Sequence, residues 1–198
     1  MAQRFSPRAL LGLLLAIAAG AAQAHSGHGT ASFFAGLVHP FGLDHLLAMV
    51  AVGVWSVSAL PGHRVWWGPT TFMLALIAGA SLGASGIAAP FLEHLVSLSL
   101  ILFGALLFAV RLELPAVLGL AVVAAGGSVH GLAHGAESPE SGFLVYATGF
   151  LLTTAALHFA GVLAGLSIKR HSRTHASSID ATLGVLFGTA GVYLLSQL

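Results

Sequence analysis

The chain has 198 residues, of which 57% are hydrophobic and only 7% charged, with a formal net charge of +1. Soluble domains carry roughly 25% charged residues, so this composition excludes a water-facing globular surface and describes an integral membrane protein. The near-neutral charge excludes nucleic acid as a partner, and the absence of cysteine removes disulfides, thiolate metal sites and cysteine nucleophiles together.

Residues 1–24 read as a cleaved signal peptide. Arg4 and Arg8 precede an apolar run from Ala9 to Ala22 that is short for a spanning helix, and Ala22-Gln23-Ala24 places small residues before His25. A retained first helix is the alternative. Cleavage leaves residues 25–198 as a single transmembrane domain with His25 and His28 at its free N-terminus.

Six apolar segments follow, at residues 31–59, 66–87, 91–110, 114–134, 142–168 and 179–197. Each reaches the roughly 20 residues that cross a bilayer. Pro61-Gly62, Pro90, Pro115, Pro139 and the polar run from Lys169 to Ser178 separate them. Lipid offers backbone groups no partner and the period-two alternation of a barrel is missing, so the expected fold is all-α, a six-transmembrane-helix bundle. Gly79-x3-Gly83, Gly161-x3-Gly165 and Gly184-x3-Gly188 predict close helix packing. Leu102-Phe-Gly104 recurs as Leu186-Phe-Gly188, a short match compatible with an inverted three-helix repeat.

Charge orients this bundle. With the mature N-terminus outside, Arg64, Arg111, Lys169, Arg170 and Arg173 all fall in inner loops, and the outer loops near 86–91 and 135–142 hold no lysine or arginine. The one-sided distribution predicts a multi-pass inner-membrane protein with both mature termini in the periplasm.

Ionisable groups are expensive in hydrocarbon, so those inside spans are functional candidates. In this topology His39, Asp44 and His45 occupy the outer half of the first span, Glu93-His94 opens the third on the outer side, and His130, His134 and Glu137 close the fourth there. The i, i+4, i+7 spacing of the last three puts them on one stripe of a continuing helix. Pro40 and Gly42 argue against regular helix around His39, and broken helices line substrate sites in membrane transporters. Other histidines have plainer readings. His158, in mid-span, reads as a packing residue, and His63, His171 and His175 as solvated loop residues. Glu93 is equally well a metal ligand or a carboxylate stabilised at a helix N-terminus.

The run HPFGLDHLLAMVAVGVW, from His39 to Trp55, and HGLAHGAE, from His130 to Glu137, closely resemble the HupE/UreJ family of nickel permeases. The likeness extends over essentially the whole chain. It implies a cleaved signal, six spans, nickel as cargo, and hydrogenase or urease maturation proteins as partners in nickel use. By position it implies a metal site of His39, Asp44, His45, His130, His134 and Glu137. The chain departs from that pattern where only Pro40 to Leu43 separate His39 from Asp44-His45, one residue fewer than usual, and where Ser128-Val129 replaces an aromatic residue before His130.

Imidazole with carboxylate and no thiolate suits Ni²⁺, Co²⁺ or Zn²⁺ better than Cu⁺, Mg²⁺ or Ca²⁺. No GxxxxGK[ST] motif is present for ATP hydrolysis, so passive or potential-driven permeation is the expected mode; the chain is expected to be no enzyme and to carry no prosthetic group. His25 and His28 would collect the ion outside, and the site within the spans would replace part of its hydration shell. Two rivals use the same residues. An intramembrane metal hydrolase would take His130-x3-His134 as ligands, with Glu137 or Asp44 activating a bound water, although Gly131 stands where HExxH has its glutamate. A haem-binding subunit would use His45 and His134 as axial ligands. A third alternative is a metal sensor or chaperone-like membrane module that binds the ion without transporting it.

Overall fold

The computed structural model describes residues 32–87, 89–136 and 142–198; the expected signal segment, His25, His28 and Glu137 lie outside the described residues. The described residues form seven α-helices and no strand. These are α1 (Phe33–Val38), α2 (Leu43–Ala59), α3 (Trp67–Ala84), α4 (Leu92–Phe108), α5 (Ala116–Ala136), α6 (Phe143–His171) and α7 (Ala176–Leu195). Five helical stretches, from Gly62–Ala84 to Ala176–Leu195, are each long and apolar enough to cross a membrane, and the bent pair α1 and α2 makes a sixth candidate. Large apolar side chains such as Leu74, Leu98, Leu102, Leu152, Phe159 and Leu186 face outward, as the lipid-facing surface of a bundle requires.

The expected first span is broken. α1 stops at Val38, a 3₁₀ turn covers His39–Phe41, and α2 restarts after Gly42 at an angle of 72°. Pro40 causes this, since it has no N–H and its ring clashes with the carbonyl four residues back. Carbonyls near such a break inside lipid need other donors, and Thr153 Oγ1 of α6 supplies one to Leu37 O at 2.8 Å.

The polar run after the fifth span is less of an interruption than its composition predicts. α6 continues through Lys169, Arg170 and His171, with only residues 172–175 between it and α7. Basic residues in a last turn favour the negative end of the helix dipole, which explains the extension.

Helices associate in pairs: α1 and α2 along α6, α3 along α5, and α4 along α7. Glycine permits the approach. A Cβ on Gly131 would lie 2.1 Å from Leu76 O, and one on Gly104 would lie 2.6 Å from Gly184 O. The predicted Gly79, Gly83, Gly161, Gly165 and Gly184 contacts therefore find partners within the chain, whereas Gly188 meets Gly104 only through its backbone and has nothing within 4 Å of its own Cβ position. With α1 and α2 counted as one span, the pairs join the first span to the fifth, the second to the fourth and the third to the sixth. Exchanging the first three spans with the last three leaves that pairing unchanged, as an inverted repeat requires.

Candidate metal site

The break at Gly42 turns two histidines toward each other. Within one continuous helix His39 and His45, six residues apart, would point about 120° apart, whereas the 72° bend brings the His39 ring to 5.7 Å from that of His45. α5 contributes the third member. His134 packs its ring 4.6 Å from His39 and 4.4 Å from His45, and the Nε2 atoms of His45 and His134 meet directly. Ligand atoms of His39, His45 and His134 all lie within 4.8 Å of one another. Nitrogens sharing one ion at about 2.0–2.1 Å stand about 3–4 Å apart, so small ring rotations suffice to bring all three onto one cation.

Asp44 stands behind the cluster. Its Oδ1 lies 2.7 Å from His45 Nδ1, so that nitrogen carries the proton and Nε2 keeps the lone pair that faces His134. A carboxylate placed so orients a ligating imidazole and raises its basicity. Phe150 and Tyr146 of α6 complete the wall, with Phe150 4.6 Å from His134 and Tyr146 5.9 Å from His39. Neither aromatic was visible as a site residue in the sequence, because aromatic residues are ordinary in apolar spans.

His130 lies one turn from His134 and 4.7 Å from His45, and it is fully buried. Ser99 of α4 donates its hydroxyl to Val96 O at 2.7 Å, so it can only accept from His130 Nε2 at 2.9 Å. The lone pair of His130 is thereby placed on Nδ1, which has no hydrogen-bond partner among the described residues. Glu93 sits half-buried in the first turn of α4, outside the three-histidine group, and His94 is exposed against Phe91.

One buried acid escaped the sequence reading. Asp180, in the second turn of α7, is 2% exposed. It engages the Ser58 hydroxyl within range of the Lys169 charge, and Lys169 Nζ donates to Val57 O. Beside it, Trp55, Ser58, Arg111, Glu113 and Ser177 line a cavity of about 390 Å³. The available signal was its charge within a span, hidden because Asp180 follows directly on a polar loop.

Fold and site together define a multi-pass, all-helical membrane protein with a histidine cluster, capable of binding a metal, at the break of its first span. The chain belongs to the HupE/UreJ family, whose profile, described as HupE / UreJ protein, matches residues 13–194. Protein HupE of Rhizobium leguminosarum bv. viciae is 39% identical over 176 residues, covering 88% of this chain and 90% of that protein. No solved structure matches the chain.

Proposed function

We propose that this protein is an inner-membrane permease that takes a divalent transition-metal ion, Ni²⁺ foremost, from the periplasm to the cytoplasm. The convergence of His39, His45 and His134 inside an apolar bundle, with Asp44 behind His45, is the observation that supports this above all. Three imidazoles replace part of a dication's hydration shell, and the Asp44 carboxylate behind His45 supplies compensating charge. Asp44, His130, Glu137 and Glu93 would adjust the charge and geometry around the three histidines, and His25 and His28 would gather the ion at the outer surface. An inside-negative potential favours entry of a dication by about 4.6 kcal/mol per 100 mV, twice the single-charge value, so entry requires no nucleotide.

Packing at the opposite end supports the proposed orientation. Arg111 Nη2 donates to Ser178 Oγ at 2.8 Å, and Lys169 Nζ donates to Val57 O, so these two basic residues gather where α2, α4, α6 and α7 meet. The rival chemistries fit less well. Direct contact between the Nε2 atoms of His45 and His134 leaves no room for a porphyrin between them, and Asp44 is committed to His45 Nδ1 rather than poised as a general base.

Uptake into proteoliposomes with a panel of divalent ions tests the reading. Ni²⁺ should enter, with Co²⁺ or Zn²⁺ as competitors, and Mg²⁺ should compete poorly because it prefers oxygen ligands and keeps its waters. Equal inhibition by Mg²⁺ and Co²⁺ would count against a histidine site.

A further inference from the structure

We propose that His158 of α6 is a second, deeper metal station, taking the same divalent cation through Nε2 after it leaves the three-histidine cluster. The proposal rests on the permease reading. It starts from hydrogen-bond bookkeeping at a residue whose sequence suggests only packing.

His158 is 1% exposed. Its Nδ1 lies 2.9 Å from Thr154 O, and a carbonyl can only accept, so Nδ1 bears the proton and Nε2 the lone pair. That lone pair has no hydrogen-bond partner among the described residues, and neither does the fully buried Thr154 Oγ1. A histidine kept for packing between membrane helices is expected to spend its second nitrogen on a neighbouring helix. His158 spends its one bond on its own helix and leaves a buried acceptor open, which costs stability unless something fills it.

The arrangement repeats that of His45. In both residues Nδ1 is held by an oxygen and Nε2 is left as the ligating atom. Position supports the same use. The His45 ring lies 4.7 Å from His130, His130 lies 5.6 Å from Phe72, and Phe72 lies 4.9 Å from His158. Along α6, His158 is eight residues beyond Phe150, which walls the cluster, a rise of about 12 Å. His130 Nδ1, likewise buried and unpartnered, stands between the two levels. A station with one imidazole and few oxygens binds weakly, which suits transit, because an ion must be able to leave each site it enters.

Two variants of the full-length protein in proteoliposomes and detergent test this. His158→Gln, which keeps the volume and an interhelical hydrogen-bonding capacity, is expected to lower maximal Ni²⁺ flux about tenfold or more while leaving equilibrium Ni²⁺ binding at the cluster within about twofold. Wild-type flux through a folded His158→Gln protein would overturn the station. The chain lacks cysteine, so His158→Cys introduces a unique thiol. Titration with Co²⁺ should then produce a thiolate-to-cobalt charge-transfer band that the unmodified protein lacks. Absence of that band at saturating Co²⁺ means the ion does not reach position 158 and overturns the proposal even if His158→Gln fails to fold. Failure of the permease reading is distinguishable, since it appears as absent Ni²⁺ flux in the unsubstituted protein.

Discussion

Asp44 Oδ1 and His45 Nδ1 stand 2.7 Å apart on adjacent residues of the first turn of α2, and this contact decides which nitrogen of His45 faces the cluster. Asp44→Asn keeps the shape and an acceptor but removes the charge. Ni²⁺ affinity is expected to fall about 10- to 100-fold while the protein still expresses and inserts. Isothermal titration in detergent, with uptake at limiting Ni²⁺, reads the effect; unchanged affinity would mean that Asp44 serves packing alone.

Acid should weaken uptake. An imidazole ligates only when its nitrogen is unprotonated, so protons compete with metal for a histidine site, and the rate should decline as the external solution is made more acidic. Initial Ni²⁺ uptake measured at clamped membrane potential isolates this effect. A rate that instead rises on acidification would point to proton-coupled entry.

Two glycines should respond oppositely to alanine. At Gly131 a Cβ would meet Leu76 O at 2.1 Å and Ala80 N at 2.8 Å, and these backbone atoms cannot swing aside, whereas nothing lies within 4 Å of a Cβ on Gly188. Gly131→Ala should therefore separate α3 from α5 and destabilise by roughly 1–3 kcal/mol, the usual cost of overpacking. Gly188→Ala should be neutral or stabilising by up to about 1 kcal/mol through helix propensity. Thermal unfolding in detergent compares them, and equal stability of the two variants would contradict the packing described.

Topology is open to labelling because the chain has no cysteine. His63 and Ser85 are both exposed, before and after α3. His63→Cys should react with a membrane-impermeant maleimide only after the cytoplasmic side is opened, and Ser85→Cys should react in intact spheroplasts. The reverse pattern would invert the direction of transport proposed above.

The site was legible in sequence where one helix holds its parts. His130 and His134 are spaced i, i+4, and both turn toward His45, as one stripe predicts. Pro40 and Gly42 likewise announced an irregular backbone, and the break falls there. Contacts between helices were not legible. Nothing in the spacing indicates that Phe150 borders His134 or that Ser99 fixes the proton of His130, because apolar spans carry no local signal for their neighbours. His158 shows the limit most clearly: a lone mid-span histidine reads as packing, and only its hydrogen-bond geometry separates that use from an open acceptor.

The three helix pairs give the histidines a further significance. His39, His45 and His158 ride on the pair made by α1 and α2 with α6, whereas His130, His134 and Phe72 ride on the pair of α3 with α5. Backbone-to-backbone contact at glycine makes each pair stiff, as with Gly53 against Gly161 in the first and Gly131 against Leu76 in the second. The contacts of His134 with His39 and His45, of His45 with His130, and of Phe72 with His158 all cross the seam between these two rigid bodies. An ion bonded on both sides acts as a clasp across that seam, resisting any slide of one body over the other until it lets go. In the proposed permease, an ion held this way would couple its own departure to the movement of the two helix pairs past each other.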